Sequence, residues 1–333
     1  MKTLLGLFIL LCGIQSFAQT GDVYRDIFNA VDRADTINIL KNMTGVNPVN
    51  VGGRSFSISE RYSSQGKQNF RAYFTDFFTK LGIPVQELAY KTRHSQIEPM
   101  GHNLEAVLPG KTADSVVIII HYDSMGPSGH QTGNPAVDDD MTGMAMMLET
   151  ARVLVPLKNK LNYTVRFVAA DFEEWMFPGL EGARQYAQYI SKLSQTNGFK
   201  VVASIDNEQS GWSGGSTTTV NVFSCQGGNT HFPNSNPLGD LLEDTFKTYS
   251  TLAVQRECMG ANSDFYAMLE VGVPSVVFSE YNPFNNPHFD DEGGDTFDLI
   301  DQDYFFKISQ VAVTFAARVI GVNTPGALEI PLN

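Results

Sequence analysis

From residue 103 onward the chain alternates short apolar runs with longer stretches of helical period. Runs of β type lie at 103–108, 116–120, 164–170, 201–205, 217–223 and 275–278. Between them, apolar residues recur at helical spacing over 144–154, 180–193, 238–249, 263–271 and 304–319. The run Val116-Val117-Ile118-Ile119-Ile120 is apolar at every position, which predicts a strand covered on both faces. The alternation predicts an α/β protein: a three-layer sandwich with a largely parallel mixed central sheet and helices on both faces. Residues 21–82 read as mainly helical, with an amphipathic stretch over 70–81, and are expected to pack on that sheet rather than form a separate domain.

The first residues follow a different pattern. Met1-Lys2-Thr3 precedes an apolar run over 4–11 and small residues at Ser16 and Ala18, the layout of a secretory signal cut after Ala18. The run is too short to cross a bilayer. The expectation is therefore a signal over 1–18, a single domain over 19–333, and residence in the periplasm or outside the cell. Cys225 and Cys258 would then meet an oxidising compartment, and their pairing is left open.

Composition narrows the function. With 42% hydrophobic and 18% charged residues over 333, the chain is neither disordered nor fibrous. Its 23 Lys+Arg against 36 Asp+Glu leave a formal charge of -13, which weighs against nucleic acid as a partner. A cationic substrate, or a site that commits carboxylates to metal, suits that balance.

In open α/β sheets, ligands bind beyond the carboxyl ends of the strands. Polar clusters sit there in this sequence. His121-Tyr122-Asp123-Ser124 follows 116–120, Glu173-Glu174 follows 164–170, and Asp206-Asn207-Glu208 follows 201–205; His288 lies some ten residues beyond 275–278. Asp138-Asp139-Asp140 stands at a predicted helix start. Taken singly, these read as helix caps, solvated acids and an ordinary histidine. Together on one rim they would repel one another unless a dication reversed the penalty. Two histidines and three carboxylates suit zinc or a similar divalent ion. Adjacent Glu173 and Glu174 leave an extended backbone in opposite directions, so one can bind metal while the other faces water as a general base. Asp123, two residues after His121, can orient the imidazole.

Those blocks, taken in order with Ser263-Asp264, Gly272-Val273-Pro274 and Asp295-Thr296, resemble the zinc-dependent aminopeptidases of the M28 type over roughly residues 60–320. The resemblance implies two co-catalytic zinc ions on an α/β fold. Carried over position by position, it implies His121 as the first histidine ligand, Asp139 as the bridging carboxylate, Glu174 as a ligand of one ion and His288 as the second histidine. Glu173 matches the general base and Asp123 the carboxylate behind His121. The remaining ligand is Asp206, which closes its strand, with Glu208 two residues on as the alternative. The implied activity is removal of N-terminal residues from peptides that carry a free amine, with no nucleic-acid partner and no membrane span; the oligomeric state stays open.

The chain departs from the pattern at Phe265, where the family often has His, in a longer spacer before Asp295, and in an insertion over 175–178. A glutaminyl cyclase with a single zinc is the enzymatic alternative, suggested by Met146-Met147-Leu148-Glu149 with Ala151-Arg152 and by the Trp-containing insertion. A catalytically dead binding ectodomain is disfavoured because the full ligand set is present.

Overall fold

The computed structural model describes residues 21–125, 134–174, 179–226, 232–259, 263–288 and 294–322. The chain enters through helices α1 (Val23–Ala30) and α2 (Arg33–Met43), a small hairpin β1 (Val49–Val51) and β2 (Arg54–Phe56), and the long helix α3 (Ser64–Lys80). Asp22, Asp32 and Ser63 cap the three helices through their side-chain oxygens. Strands β3 (Val85–Tyr90), β4 (Gly101–Leu108) and β5 (Ser115–His121) follow, then α4 (Thr142–Leu154), β6 (Thr164–Ala170), α5 (Glu181–Asn197) and β7 (Val201–Asn207). The remainder is β8 (Thr219–Gln226), α6 (Asn236–Tyr249), β9 (Ala253–Met259), α7 (Asp264–Glu270), β10 (Ser275–Glu280) and α8 (Gln302–Ile320).

Eight strands form one mixed sheet in the order β3-β4-β6-β5-β7-β10-β8-β9. Its centre, β6-β5-β7-β10, is parallel throughout, while β4 joins β6 and β8 joins β10 in antiparallel fashion. The all-apolar run in β5 is covered on both faces, as its pattern predicts. Val116, Ile118 and Ile120 face one side, in the same core as residues of α3, α4, α6 and α8. Val117 and Ile119 face the other, against residues of α5 and α7. Met141, Met144, Met146 and Met147 are all inaccessible and fill the first core.

Residues 21–82 are mainly helical, with the β1–β2 hairpin and the irregular stretches on either side of it between α2 and α3, and α1, α2 and α3 share the core of the sheet. Apart from the short hairpin β1–β2, two strands of the main sheet lacked a clear signal. Both β3 and β9 are sheet edges with half-exposed, mixed polar residues, so little apolar surface marks them. Cys258 on β9 is disulfide-bonded and lies opposite Cys225 in the register of β8 and β9. Among the described residues, no helix is long and apolar enough to cross a membrane. The expected signal over 1–18, the insertion over 175–178 and most of the spacer between His288 and Asp295 lie outside the described residues.

Because the four central strands are parallel, the chain leaves all of them at one edge of the sheet. There α4 begins close to the end of β7. A Cβ on Gly143 would collide with the Asn207 carbonyl oxygen and press on the Asp140 carboxylate. Gly143→Ala is therefore expected to destabilise the fold by about 1–3 kcal/mol, the usual cost of overpacking; a urea midpoint at the wild-type value would contradict this contact.

Candidate metal centre

Each central strand delivers an acid or an imidazole to the common edge. His121 is the last residue of β5, Asp206 lies near the end of β7 with Glu208 just beyond it, and Glu280 closes β10. Beyond β6 the chain turns through Asp171-Phe172-Glu173-Glu174. Phe172 adopts a left-handed backbone with φ of 57°, and so does Ala136, with φ of 41°, just ahead of the Asp138–Asp140 turn. Such conformations cost about 1–3 kcal/mol each in non-glycine residues and persist only where neighbours enforce them.

The enforcing contacts are backbone N–H groups held by carboxylates. Asp123 accepts from Glu173 N at 2.9 Å and from Glu174 N at 3.2 Å. Asp295 accepts from Asp138 N, with 2.8 Å to each carboxylate oxygen, and from Asp139 N at 2.9 Å. Asp138 accepts from Gly211 N at 2.7 Å and from the Asn286 amide at 2.9 Å. The same Asn286 accepts from His288 N at 2.9 Å, which ties the His288 loop to the acidic turn.

Held in this way, the functional side chains converge. His121 Nε2 stands 3.1 Å from Asp139 Oδ1, and His121 Nδ1 stands 3.8 Å from Asp123 Oδ1, beyond hydrogen-bond range. Gln209 donates its amide to Asp139 Oδ2 at 2.8 Å. Three groups place one ligand atom per residue within 4.8 Å of one another: His121 with Glu173 and Glu174; His121 with Asp139 and Glu208; and Asp140 with Asp206 and Glu208.

The electrostatics of these groups suit a cation. Burial pushes the Glu173 carboxyl up to about 8, against the opposing pull of His121 and with further upward pressure from Asp139 and Asp123. Burial also raises Glu174, Glu208 and Asp140 well above the usual carboxylate range and carries Asp206 to about 6. Burial works against a charged His121, yet its hydrogen bond to Asp139 and the charges of Glu173 and Glu208 hold its imidazole well above the ordinary histidine range. Asp140 Oδ2, Asp206 Oδ1 and His121 Nδ1 are buried and have no hydrogen-bond partner. The Ser263 hydroxyl lies within reach of both Asp206 Oδ2 and Glu208 Oε1, but its single proton can satisfy one of them. Carboxylates crowded in this manner need protons or a cation between them, and a His-plus-carboxylate donor set fits a divalent ion such as zinc.

Of the residues expected from sequence, His121, Asp139, Glu173 and Glu174 come together directly, and Asp123 stands behind them. Asp206 is completely buried; one of its oxygens accepts from Phe265 N at 3.0 Å and faces Ser263, and it shares a group with Asp140 and Glu208. His288 is half-buried and belongs to none of the three groups found among the described residues. Glu208, the alternative to Asp206 from its i+2 spacing on an extended backbone, shares one group with Asp206 and Asp140 and another with His121 and Asp139. Asp140 read simply as a helix start, and it does accept from Gly143 N at 2.9 Å, but its second oxygen faces the site.

The sequence profile of peptidase family M28 matches residues 103–316. The chain belongs to that family. Leucine aminopeptidase 1 of Coccidioides posadasii is 30% identical over 258 residues, covering 73% of this chain and 63% of that protein. The chain thus spans less than two thirds of the length of the curated relatives it matches first. Among solved structures, the LapA aminopeptidase of Legionella pneumophila superposes with a TM-score of 0.69 at 18% identity, covering 91% of this chain and 76% of that one. The glutaminyl cyclase of Fimbriiglobus ruber reaches 0.67 at 17% identity, covering 86% and 95%. At such identities the likeness is one of fold, which M28 aminopeptidases and cyclases share.

Since His121 and Asp139 share a group with Glu208 and not with Asp206, the two acids of β7 should respond differently to neutralisation. Glu208→Gln is expected to weaken cobalt or zinc binding by the metal-free protein by about 10–100-fold. Asp206→Asn should keep the metal stoichiometry and lower thermal stability. Titration followed by absorbance and elemental analysis distinguishes the two, and the reverse ranking would return the ligand role to Asp206.

Proposed function

We propose that this protein is a metal-dependent aminopeptidase that removes residues from the free N-terminus of peptides. The observation that carries the reading is the pairing of Glu173 and Glu174 beside His121, on a turn whose N–H groups Asp123 holds. In this reading His121, Asp139, Glu174 and a carboxylate from the Asp206–Glu208 pair hold zinc, with His288 as the second histidine and two ions in all. A divalent ion held there would polarise the scissile carbonyl and bring the pKa of water towards neutrality. Glu173 takes the proton from the attacking water and returns it to the leaving amine, a contribution of about 10²–10⁴-fold. Asp123 stands behind His121 and, through the Glu173 and Glu174 N–H groups, fixes where Glu173 points. The surplus of carboxylates at the rim, in a chain of net charge -13, favours a substrate that arrives with an ammonium group.

Family membership and the aminopeptidase relative support hydrolysis over cyclisation. Of the residues that suggested a cyclase, Glu149 is wholly buried, pairs with Arg152 at 2.6 Å and accepts from Asp32 N at 3.1 Å, which joins α4 to the start of α2; the insertion lies outside the described residues. Export completes the reading. The pattern of residues 1–18 and a disulfide at Cys258 both suit an oxidising compartment, in the periplasm or outside the cell.

Glu173→Gln is expected to keep its metal and lose about 10²–10⁴-fold in kcat. The assay pairs elemental analysis with peptides that have free, blocked and Gln-initiated N-termini. Full turnover by the variant would remove Glu173 as the base. Cleavage of blocked peptides, or ring closure of the Gln peptide without hydrolysis, would replace the aminopeptidase reading.

A further inference from the structure

The turn that carries Glu173 is bounded by acids, and a single buried ammonium lies beneath it. Lys67 on α3 is completely buried, and its Nζ lies 2.7 Å from Asp171 Oδ1, itself wholly inaccessible. The same ammonium sits 3.2 Å from the centroid of the Phe172 ring. Asp171 in turn accepts from Phe172 N at 3.0 Å through one oxygen and from His102 N at 3.0 Å through the other. The charge of Lys67 also acts on Asp123, the carboxylate that accepts from Glu173 N and Glu174 N. Three successive N–H groups, those of Phe172, Glu173 and Glu174, therefore hang on two carboxylates, of which Lys67 pairs with Asp171 and acts on Asp123 through its field.

We infer that Lys67 is a positioning residue for the Glu173 base, acting through Asp171, Asp123 and the Phe172 ring. The inference rests on the base role given to Glu173 above. Lys67 precedes the segment that matches the M28 profile, so the device belongs to the N-terminal helical region of this chain. Its placement follows from local sequence. Lys67, Phe70, Arg71, Phe74 and Phe78 recur at helical spacing on one buried face of α3. On that face Phe70 stacks on Tyr122 with centroids 4.8 Å apart, and Arg71 donates to the Tyr122 hydroxyl at 3.2 Å while pairing with Glu98. The helix is thereby fixed against the residues between His121 and Asp123, and Lys67, one turn earlier, is delivered under the neighbouring turn.

The physical consequence is specific. Without the ammonium, Asp171 and Asp123 would face each other's field in a buried setting, and the left-handed Phe172 would lose the cation on its ring. The turn can relax by taking in water or rotating Phe172, and either moves Glu173 away from the water it must deprotonate. Sub-ångström to ångström displacement of a reacting group is enough to cost one to two orders of magnitude in rate.

The test uses the full chain with its metal bound. Lys67→Met removes the charge at nearly constant length. It is expected to retain its metal per chain and its KM, to lose about 10–100-fold in kcat, and to exchange the amides of 172–174 with deuterium at least about tenfold faster. The double variant Lys67→Met/Asp171→Asn no longer strands a buried charge, so thermal stability should return towards wild type. Its kcat should stay low, because an amide accepts through one terminal atom only, whereas the Phe172 and His102 N–H groups need two acceptors. If Lys67→Met does not fold, the double variant carries the measurement alone. A wild-type kcat in Lys67→Met, unchanged exchange over 172–174, or recovery of kcat together with stability in the double variant would each overturn the inference. Glu173→Gln, run alongside, separates it from its foundation: an active Glu173→Gln removes the base, while the exchange rates, read without substrate, still report whether Lys67 holds the turn.

Discussion

Negative charge confined out of water is the constraint around which this site is built. Asp123, Asp140, Asp206, Asp264 and Glu280 are inaccessible to solvent, and Asp138 and Asp295 nearly so, all near the carboxyl edge of one sheet. An uncompensated buried carboxylate costs several kcal/mol, so most of these charges are answered; Asp264, whose two oxygens meet no hydrogen-bond donor among the described residues, instead has its carboxyl pushed well above the usual range by burial. Three kinds of answer are visible. Backbone N–H groups serve Asp123, Asp138 and Asp295; buried cations serve Asp171 and Glu98; and the oxygens left over on Asp140 and Asp206 face a hollow suited to a divalent ion. Metal binding and folding are coupled by the same arithmetic of charge.

The division between these answers separates scaffold from chemistry. Acids satisfied by N–H groups act on the backbone: Asp295 shapes the turn of Asp138 and Asp139, and Asp123 shapes the turn of Glu173 and Glu174. Of the acids left with free oxygens, Asp140 and Asp206 are the ones a divalent ion would answer. Asp138 and Glu280 extend the first kind outward, because Asn286 donates to both at 2.9 Å and holds the His288 loop with its own oxygen. A carboxylate that orders a peptide plane is worth more in a buried site than in water, since the charge-assisted bond has no competitor.

Much of this was legible in the chain. The run over 116–120 announced a doubly covered strand, and the convergence of His121, Asp139, Glu173 and Glu174 followed from placing each behind a predicted strand or at a helix start. What was not legible has a physical reason in every instance. β3 and β9 lie at sheet edges, where burial leaves no strong pattern. Asp206 against Glu208 could not be decided by strand position, because both project to the same side and both join a possible metal group, with Ser263 in reach of each and Phe265 N–H added on Asp206. Asp140 read as a cap because one of its oxygens is one. Lys67 carries no local signal, since nothing near it in the chain reveals that a residue 104 positions away will meet it.

The N-terminal region extends the same logic beyond the profile-matched segment. Arg61, fully buried, donates to the carbonyl oxygens of Tyr122 at 2.7 Å, Met43 at 3.2 Å and Ala136 at 3.0 Å. Burial lowers its guanidinium to about 10, still protonated at neutral pH, with the charges of Glu60, Asp295, Asp123 and Glu174 opposing the fall. It therefore joins the end of β5 to the left-handed Ala136 that opens the acidic turn, much as Lys67 underpins the turn of Glu173. Two neighbouring stretches of backbone, each with a left-handed residue and each followed by acids of the candidate metal centre, are held by cations from residues 61–67. An α/β sheet can place histidines and acids at its edge by topology alone, but it cannot neutralise what it gathers there. In this chain the helical segment that precedes the sheet supplies that neutralisation, so it is part of the site and not a cover for it.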